Sequence, residues 1–218
     1  MKWNKQIRIF VFIVSAASVG WAKAGLTPLQ SIKELDAMAD QYKVGKNLTA
    51  QDKVFNQQLK KDILRGTFDL RELAKIALDK YWSQRTKREQ DRFVELLTQI
   101  LEERSLFSKE RAVEKGEGKS YLISYKSQKY LNKEQTDAYV HTVIRLPKKN
   151  LKVDLDYKLK KTDGAWKIYD VVFDGASLVD NYRYSFGNII KKQGYDELVR
   201  RMENKLKEFR SKRSGAQS

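Results

Sequence analysis

Cysteine is absent from the 218 residues, proline occurs only twice and histidine once. Without cysteine the chain has no disulfide, no thiol nucleophile, no thiolate metal ligand and no lipid attachment through sulfur. No proline-rich or glycine-rich linker, internal repeat or low-complexity tract breaks the sequence, so it reads as one domain. The motifs GxGxxG, the P-loop, HExxH and GxSxG are missing too. The lone His141 falls within an expected strand with no motif around it, so a structural or exposed imidazole is the expectation. Neither catalytic residues nor a metal site are expected.

Long hydrophobic runs are also lacking. A membrane-spanning helix needs about 20 apolar residues, and the best stretch, Ile9 to Gly20, falls short of that. Lys2, Lys5 and Arg8 precede it and Ala22-Lys23-Ala24 follows as a small-x-small site, the pattern of a cleavable secretory signal peptide. The expected layout is a signal peptide over 1–24, a single domain over 25–210 and a flexible tail over 211–218. Removing residues 1–24 takes away four cations (Lys2, Lys5, Arg8 and Lys23) and no acid, so the net charge falls from +16 to +12. That charge favours anionic partners: nucleic acid, acidic lipid headgroups or an acidic protein surface. Export argues against nucleic acid, and the basic residues are spread along the whole chain, as on a solubilising surface.

What the chain does contain is helical periodicity in its first half. Ile32, Leu35 and Met38 within Pro28 to Tyr42, and Phe55, Leu59 and Ile63 within Asp52 to Leu64, recur at helical spacing. Asp69 with Glu72, and Thr86 with Glu89, read as capping boxes. The helices they open bury Leu70, Leu73, Ala74, Ala77 and Leu78, then Phe93, Leu96, Leu97, Ile100 and Leu101. From Ser120 the period becomes two. Tyr121, Ile123 and Tyr125 alternate with polar residues, and Tyr139 to Leu146 is β-branched. Leu151, Val153, Leu155, Tyr157 and Leu159 alternate with Lys152, Asp154, Asp156, Lys158 and Lys160. Asp163-Gly164 predicts a tight hairpin into Trp166 to Phe173. Ser177 then caps a helix that Gly194 ends, and Tyr195 to Phe209 forms the last helix. Helices, antiparallel strands and helices again predict an α+β domain, with the helices on one face of a curved sheet.

Two carboxylate constellations invite a chemical reading. Asp154 and Asp156 share the wet face of a strand, where flanking lysines make them a solvated charge pattern. Asp170 and Tyr169, late in the last long strand, form an acid and a phenol with no motif behind them. The chain is rich in aromatics, 11 Tyr, 4 Trp and 9 Phe, and these either fill a core or line a cleft between sheet and helices. Periodicity alone favours the filled core.

Two ordered blocks carry a resemblance. The first holds Phe68-Asp69, LAKIAL at Leu73 to Leu78, Trp82 and Arg92-Phe93. The second runs from Val153 to Gly194, with its Asp-Gly turn, WKIYDV, GASLV at Gly175 to Val179 and NYR at Asn181 to Arg183. Together they resemble the MlaC family, the toluene-tolerance or Tol-type proteins, over about Leu26 to Phe209; Glu114 to Lys133 is highly charged and matches poorly. The resemblance implies an NTF2-like or MlaC-like fold with a hydrophobic cavity. It further implies a soluble, non-enzymatic periplasmic carrier with phospholipid as cargo and no cofactor. Such a carrier would exchange lipid between an inner-membrane ABC-type lipid transporter complex and an outer-membrane lipoprotein–porin complex, touch membrane surfaces transiently and maintain outer-membrane lipid asymmetry. The pocket candidates are Tyr81, Trp82, Phe93, Leu97, Leu101, Val153, Leu155, Tyr157, Trp166, Ile168, Tyr182 and Phe186, with Arg145 and Arg183 for a headgroup phosphate. The alternatives are an envelope interaction module that binds an acidic protein or membrane surface, and an isomerase-like enzyme built on Asp170.

Overall fold

A computed structural model describes residues 24–45, 47–103, 121–147 and 150–215. The expected signal peptide, apart from Ala24, lies outside them, as do residues 104–120, which include the first part of the charged segment, and 216–218 of the expected tail. The described residues form six α-helices and a five-stranded antiparallel sheet. In chain order these are α1 (Pro28–Ala39), α2 (Ala50–Thr67), α3 (Leu70–Leu78), α4 (Lys87–Glu103), β1 (Leu122–Tyr130), β2 (Asp137–Leu146), β3 (Leu151–Thr162), β4 (Ala165–Phe173), β5 (Ala176–Ser177), α5 (Leu178–Gln193) and α6 (Tyr195–Gly215). A 3-10 turn, Asp79–Tyr81, follows α3. The class is α+β, as the pattern predicts.

Capping chemistry places the helices. Thr27 and Thr49 open α1 and α2 with reciprocal capping boxes to Gln30 and Asp52. Thr86 and Glu89 do the same for α4. At α3 the expected box is only half formed. Asp69 accepts from the Glu72 backbone N–H at 2.9 Å, while the Glu72 carboxylate reaches across to Lys160 on β3, also at 2.9 Å. The first helix stops at Ala39 rather than Tyr42, because the chain turns there and tucks Tyr42 into the core. The last helix runs past Phe209 to Gly215, into the segment read as a tail, since the intervening residues include no proline or glycine to stop it.

The strands form a meander in the order β1-β2-β3-β4-β5. Asp163-Gly164 makes a two-residue hairpin with φ of 51° and 79°, the pair of positive values that a type I′ turn requires. Asp174-Gly175, with φ of 44° and 82°, repeats the device and adds β5. Two irregularities bend the sheet: Lys126 is an extra residue in β1, and Tyr169 is one in β4. The free side of β4 is covered in two places. β5 pairs with its C-terminal end, while Phe68 bridges Ile168 and the Asp69 N–H donates to the Ile168 carbonyl at 2.8 Å. An exposed edge strand invites intermolecular pairing, and this cover removes that hazard.

The register separates two faces. Ala138 with Leu159, Val140 with Tyr157, Thr142 with Leu155 and Ile144 with Val153 stand opposite one another on the apolar face. Tyr139 with Lys158, His141 with Asp156, Val143 with Asp154 and Arg145 with Lys152 share the other. The apolar face belongs to one continuous core with α1 to α6, in which Leu64, Phe93, Leu101 and Leu159 are wholly buried.

The bulge at Tyr169 shifts the register so that Asp170, not Tyr169, faces Lys158. Asp170 is only 1% exposed. It pairs with Lys158 at 2.9 Å, accepts from the Ser177 hydroxyl at 2.7 Å and accepts from the Val179 N–H at 3.1 Å. Ser177 in turn accepts from the Asp180 N–H at 3.0 Å and so caps α5. The carboxylate read as a candidate acid is therefore fully engaged in holding the sheet to a helix. Asp170→Ala strands Lys158 and uncaps α5. The expected loss is about 3 kcal/mol, the low end for breaking a buried pair because Lys158 still reaches water, measured as a lower urea midpoint at unchanged m-value.

Candidate functional site

The pocket candidates fall into one connected region with two margins. Phe93, Leu97 and Leu101 from α4, Leu155 and Tyr157 from β3, Trp166 and Ile168 from β4, and Phe186 from α5 are buried in the common core. Val153, Trp82 and Tyr182 pack against it half-buried. Phe93 meets Phe186 edge-on at 5.7 Å, Phe186 stacks on Tyr182 at 5.1 Å, and Tyr195 lies 6.5 Å from Phe93. These rings make an aromatic column between α4, α5 and α6, with the offset and edge contacts that ring quadrupoles favour. Trp82 lies under the Arg71 guanidinium at 5.2 Å. The core is thus apolar and aromatic where it faces the helices.

On the side where α1 lies against β1 and β2 the lining is phenolic. The Tyr125 hydroxyl donates to Asp36 at 2.5 Å. Burial, then the charge of Asp36, pushes the phenol of Tyr157 well above its ordinary value. Burial comes first among the causes for Tyr121 and Tyr125 as well. The strand alternation marked these tyrosines as inward, but nothing in the sequence linked them to Asp36.

On the opposite face, Asp154 and Asp156 behave differently from each other. Asp154 is half-buried and its backbone N–H donates to the Asp174 carboxylate. Asp156 is buried at 7% exposure: the Tyr139 hydroxyl donates to it, and His141 Nδ1 lies 2.5 Å from it. The reading of Asp156 as solvated is therefore corrected; its cross-strand neighbours Tyr139 and His141 on β2 help enclose it. That carboxylate positions the His141 ring. The Tyr139 phenol is pushed up to about 12 by burial and by its bond to Asp156. Tyr169 is likewise raised to about 12, chiefly by burial.

A groove of about 220 Å³ opens at the margin of the core, between the 3-10 turn and α5. Leu78, Asp79, Lys80 and Tyr81 form one wall, and Arg183, Tyr184, Gly187, Asn188 and Lys191 the other. It brings together Tyr81, a pocket candidate, and Arg183, a headgroup candidate. Arg145, the other headgroup candidate, stands exposed on β2 opposite Leu122 and Lys152 and lies outside the groove. Sequence reasoning missed Lys80, Gly187, Asn188 and Lys191. The signal was there: Arg183, Gly187 and Lys191 recur every four residues and so share one helix stripe.

The sequence matches the MlaC protein family over residues 33–204. The chain belongs to the MlaC family. Among solved structures, this MlaC-family chain is similar to a phospholipid-binding protein from Ralstonia solanacearum, solved in complex with a phospholipid. The TM-score is 0.59 at 23% identity, over 83% of this chain and 91% of that one. The likeness establishes a common fold. No curated protein matches the sequence. Among the described residues no group of His, Cys, Asp and Glu is arranged to hold a metal ion, and no helix is long and apolar enough to cross a membrane.

The raised phenols fix a pH dependence. In the unfolded chain tyrosines ionise near pH 10, while Tyr121, Tyr125, Tyr139, Tyr157 and Tyr169 keep their protons to higher pH in the fold. Above about pH 10 the unfolded state binds fewer protons than the native one, so stability falls as pH rises; below it these groups contribute no slope. Tyrosinate absorbance should therefore rise at higher pH in native than in urea-unfolded protein, and the urea midpoint should drop above about pH 10.

Proposed function

We propose that the protein is a non-enzymatic phospholipid carrier, exported to the periplasm after cleavage at Ala24. There it moves lipid between an inner-membrane ABC-type transporter complex and an outer-membrane lipoprotein–porin complex, and so maintains outer-membrane lipid asymmetry. The observation that supports this reading best is family membership across nearly all of the folded region, in a fold shared with a phospholipid-binding protein solved in complex with a phospholipid. The residues add physical support. Each acyl methylene exposed to water costs about 0.8 kcal/mol, so a carrier must enclose whole tails to compete with a bilayer. The apolar layer that includes Leu97, Leu101, Leu155, Tyr157, Ile168 and Phe186, packed between the strands and the helices, is the part of the fold with the chemistry to take up tails. Asp170, on which the isomerase-like reading was built, pairs with Lys158 and accepts from the Ser177 hydroxyl and the Val179 N–H at the start of α5.

Native mass spectrometry of protein purified without detergent, with organic extraction, tests the reading. Stoichiometric phospholipid, either co-purified or taken up from liposomes, is expected. Protein that stays free of lipid after incubation with liposomes points instead to an envelope interaction module.

A further inference from the structure

Gly187 has no local reason to be glycine. It sits inside α5 with an ordinary helical φ, where glycine costs about 1 kcal/mol relative to alanine. A Cβ built there meets nothing within 4 Å, so packing does not demand it either. What its face looks into is the groove, where Lys80, Arg183 and Lys191 outnumber the single acid Asp79. Arg183 is steadied by Asp180 at 2.7 Å, on the turn before it. Asn188 adds an amide on the same helix face. At the opposite wall Asp79 holds a φ of 50° and a ψ of −129°, a conformation that costs a non-glycine residue about 1–3 kcal/mol. That turn sets the wall carrying Lys80 and Tyr81 against α5.

We infer that this groove is a binding site for a phosphate-bearing group, which Lys80, Arg183 and Lys191 neutralise and which approaches the α5 backbone at Gly187. Guanidinium and ammonium groups form their strongest hydrogen bonds with such oxyanions. At about 220 Å³ the groove is smaller than the ~300 Å³ lower bound of drug-sized pockets, which suits a headgroup rather than acyl tails. The buried Leu78, in the same wall as Tyr81, puts it next to the apolar core. A phosphate held here therefore stands where the wet end of an enclosed lipid would emerge. The lipid headgroup as its source rests on the carrier reading; free phosphate as its source does not.

The test follows backbone amide signals of Gly187, Asn188 and Lys191 by NMR. The full mature protein is titrated with inorganic phosphate and with glycerophosphoglycerol, against chloride at matched ionic strength. A saturable shift in these amides is expected, weakened about tenfold in Lys191→Gln and in Arg183→Gln, the loss of one charged hydrogen bond. Gly187→Leu fills the groove while favouring the helix, and should abolish the shift with the circular dichroism spectrum unchanged. Lipid uptake from phosphatidylglycerol vesicles separates the two sources. Uptake lowered in Gly187→Leu in step with the lost shift supports the headgroup, whereas unchanged uptake with a lost shift supports free phosphate. If neither probe shifts these amides beyond the chloride control, the inference is overturned, even in a protein that carries lipid. A wild-type protein that never takes up lipid but shows the shift overturns the carrier reading alone.

Discussion

The fold hangs on one buried carboxylate. Asp170 stands on β4, pairs with Lys158 on β3, receives the hydroxyl of Ser177 at the end of β5 and caps the first amide turn of α5 through Val179. Every one of those bonds depends on the bulge at Tyr169, which turns Asp170 to the face that carries Lys158. Remove the bulge and the carboxylate points into the apolar layer, where an unpaired charge is among the costliest groups to bury. The position of α5, and with it Phe186 in the core and Arg183 and Lys191 in the groove, follows from this junction.

Strand alternation makes the two faces of the sheet chemically different. One sheet face carries Val140, Leu155, Tyr157 and Leu159 into a core shared with the helices, and the other carries polar groups such as Lys158 with Asp170 and Tyr139 and His141 with Asp156. The apolar face offers little polar competition to an acyl chain, while the other face buries Asp156 and Asp170 among polar partners. Asp156 and Asp170 are tied into the sheet by bonds from Tyr139 and from Ser177 and Val179.

Much of this was legible in the residues. The capping pairs at Thr86-Glu89 and Asp69, the type I′ dipeptide Asp163-Gly164 and the alternation from Leu151 to Leu159 specify their elements through local chemistry, and local chemistry is what a sequence displays. Asp174-Gly175 carried the same hairpin signal, but the strand it adds is too short to show alternation. The bulge at Tyr169 was illegible, because one extra residue in a period of two leaves no mark until a partner strand fixes the register. The same holds for Asp156, whose enclosure by Tyr139 and His141 is set by the pairing of β2 with β3. The groove was half legible: the stripe Arg183, Gly187 and Lys191 is helical spacing, but its opposite wall comes from a turn over a hundred residues earlier in the chain.

The most direct test of the account is photo-crosslinking with a phospholipid that bears a photoreactive group near the end of one acyl tail, read by peptide mass spectrometry. The account predicts crosslinks on the facing surfaces of the apolar layer, at Leu97, Leu155, Tyr157 and Phe186 or their immediate neighbours. Crosslinks confined to exposed apolar side chains such as Phe55, Leu122 and Tyr184 would contradict it, since the tails would then rest on the surface instead of within the fold.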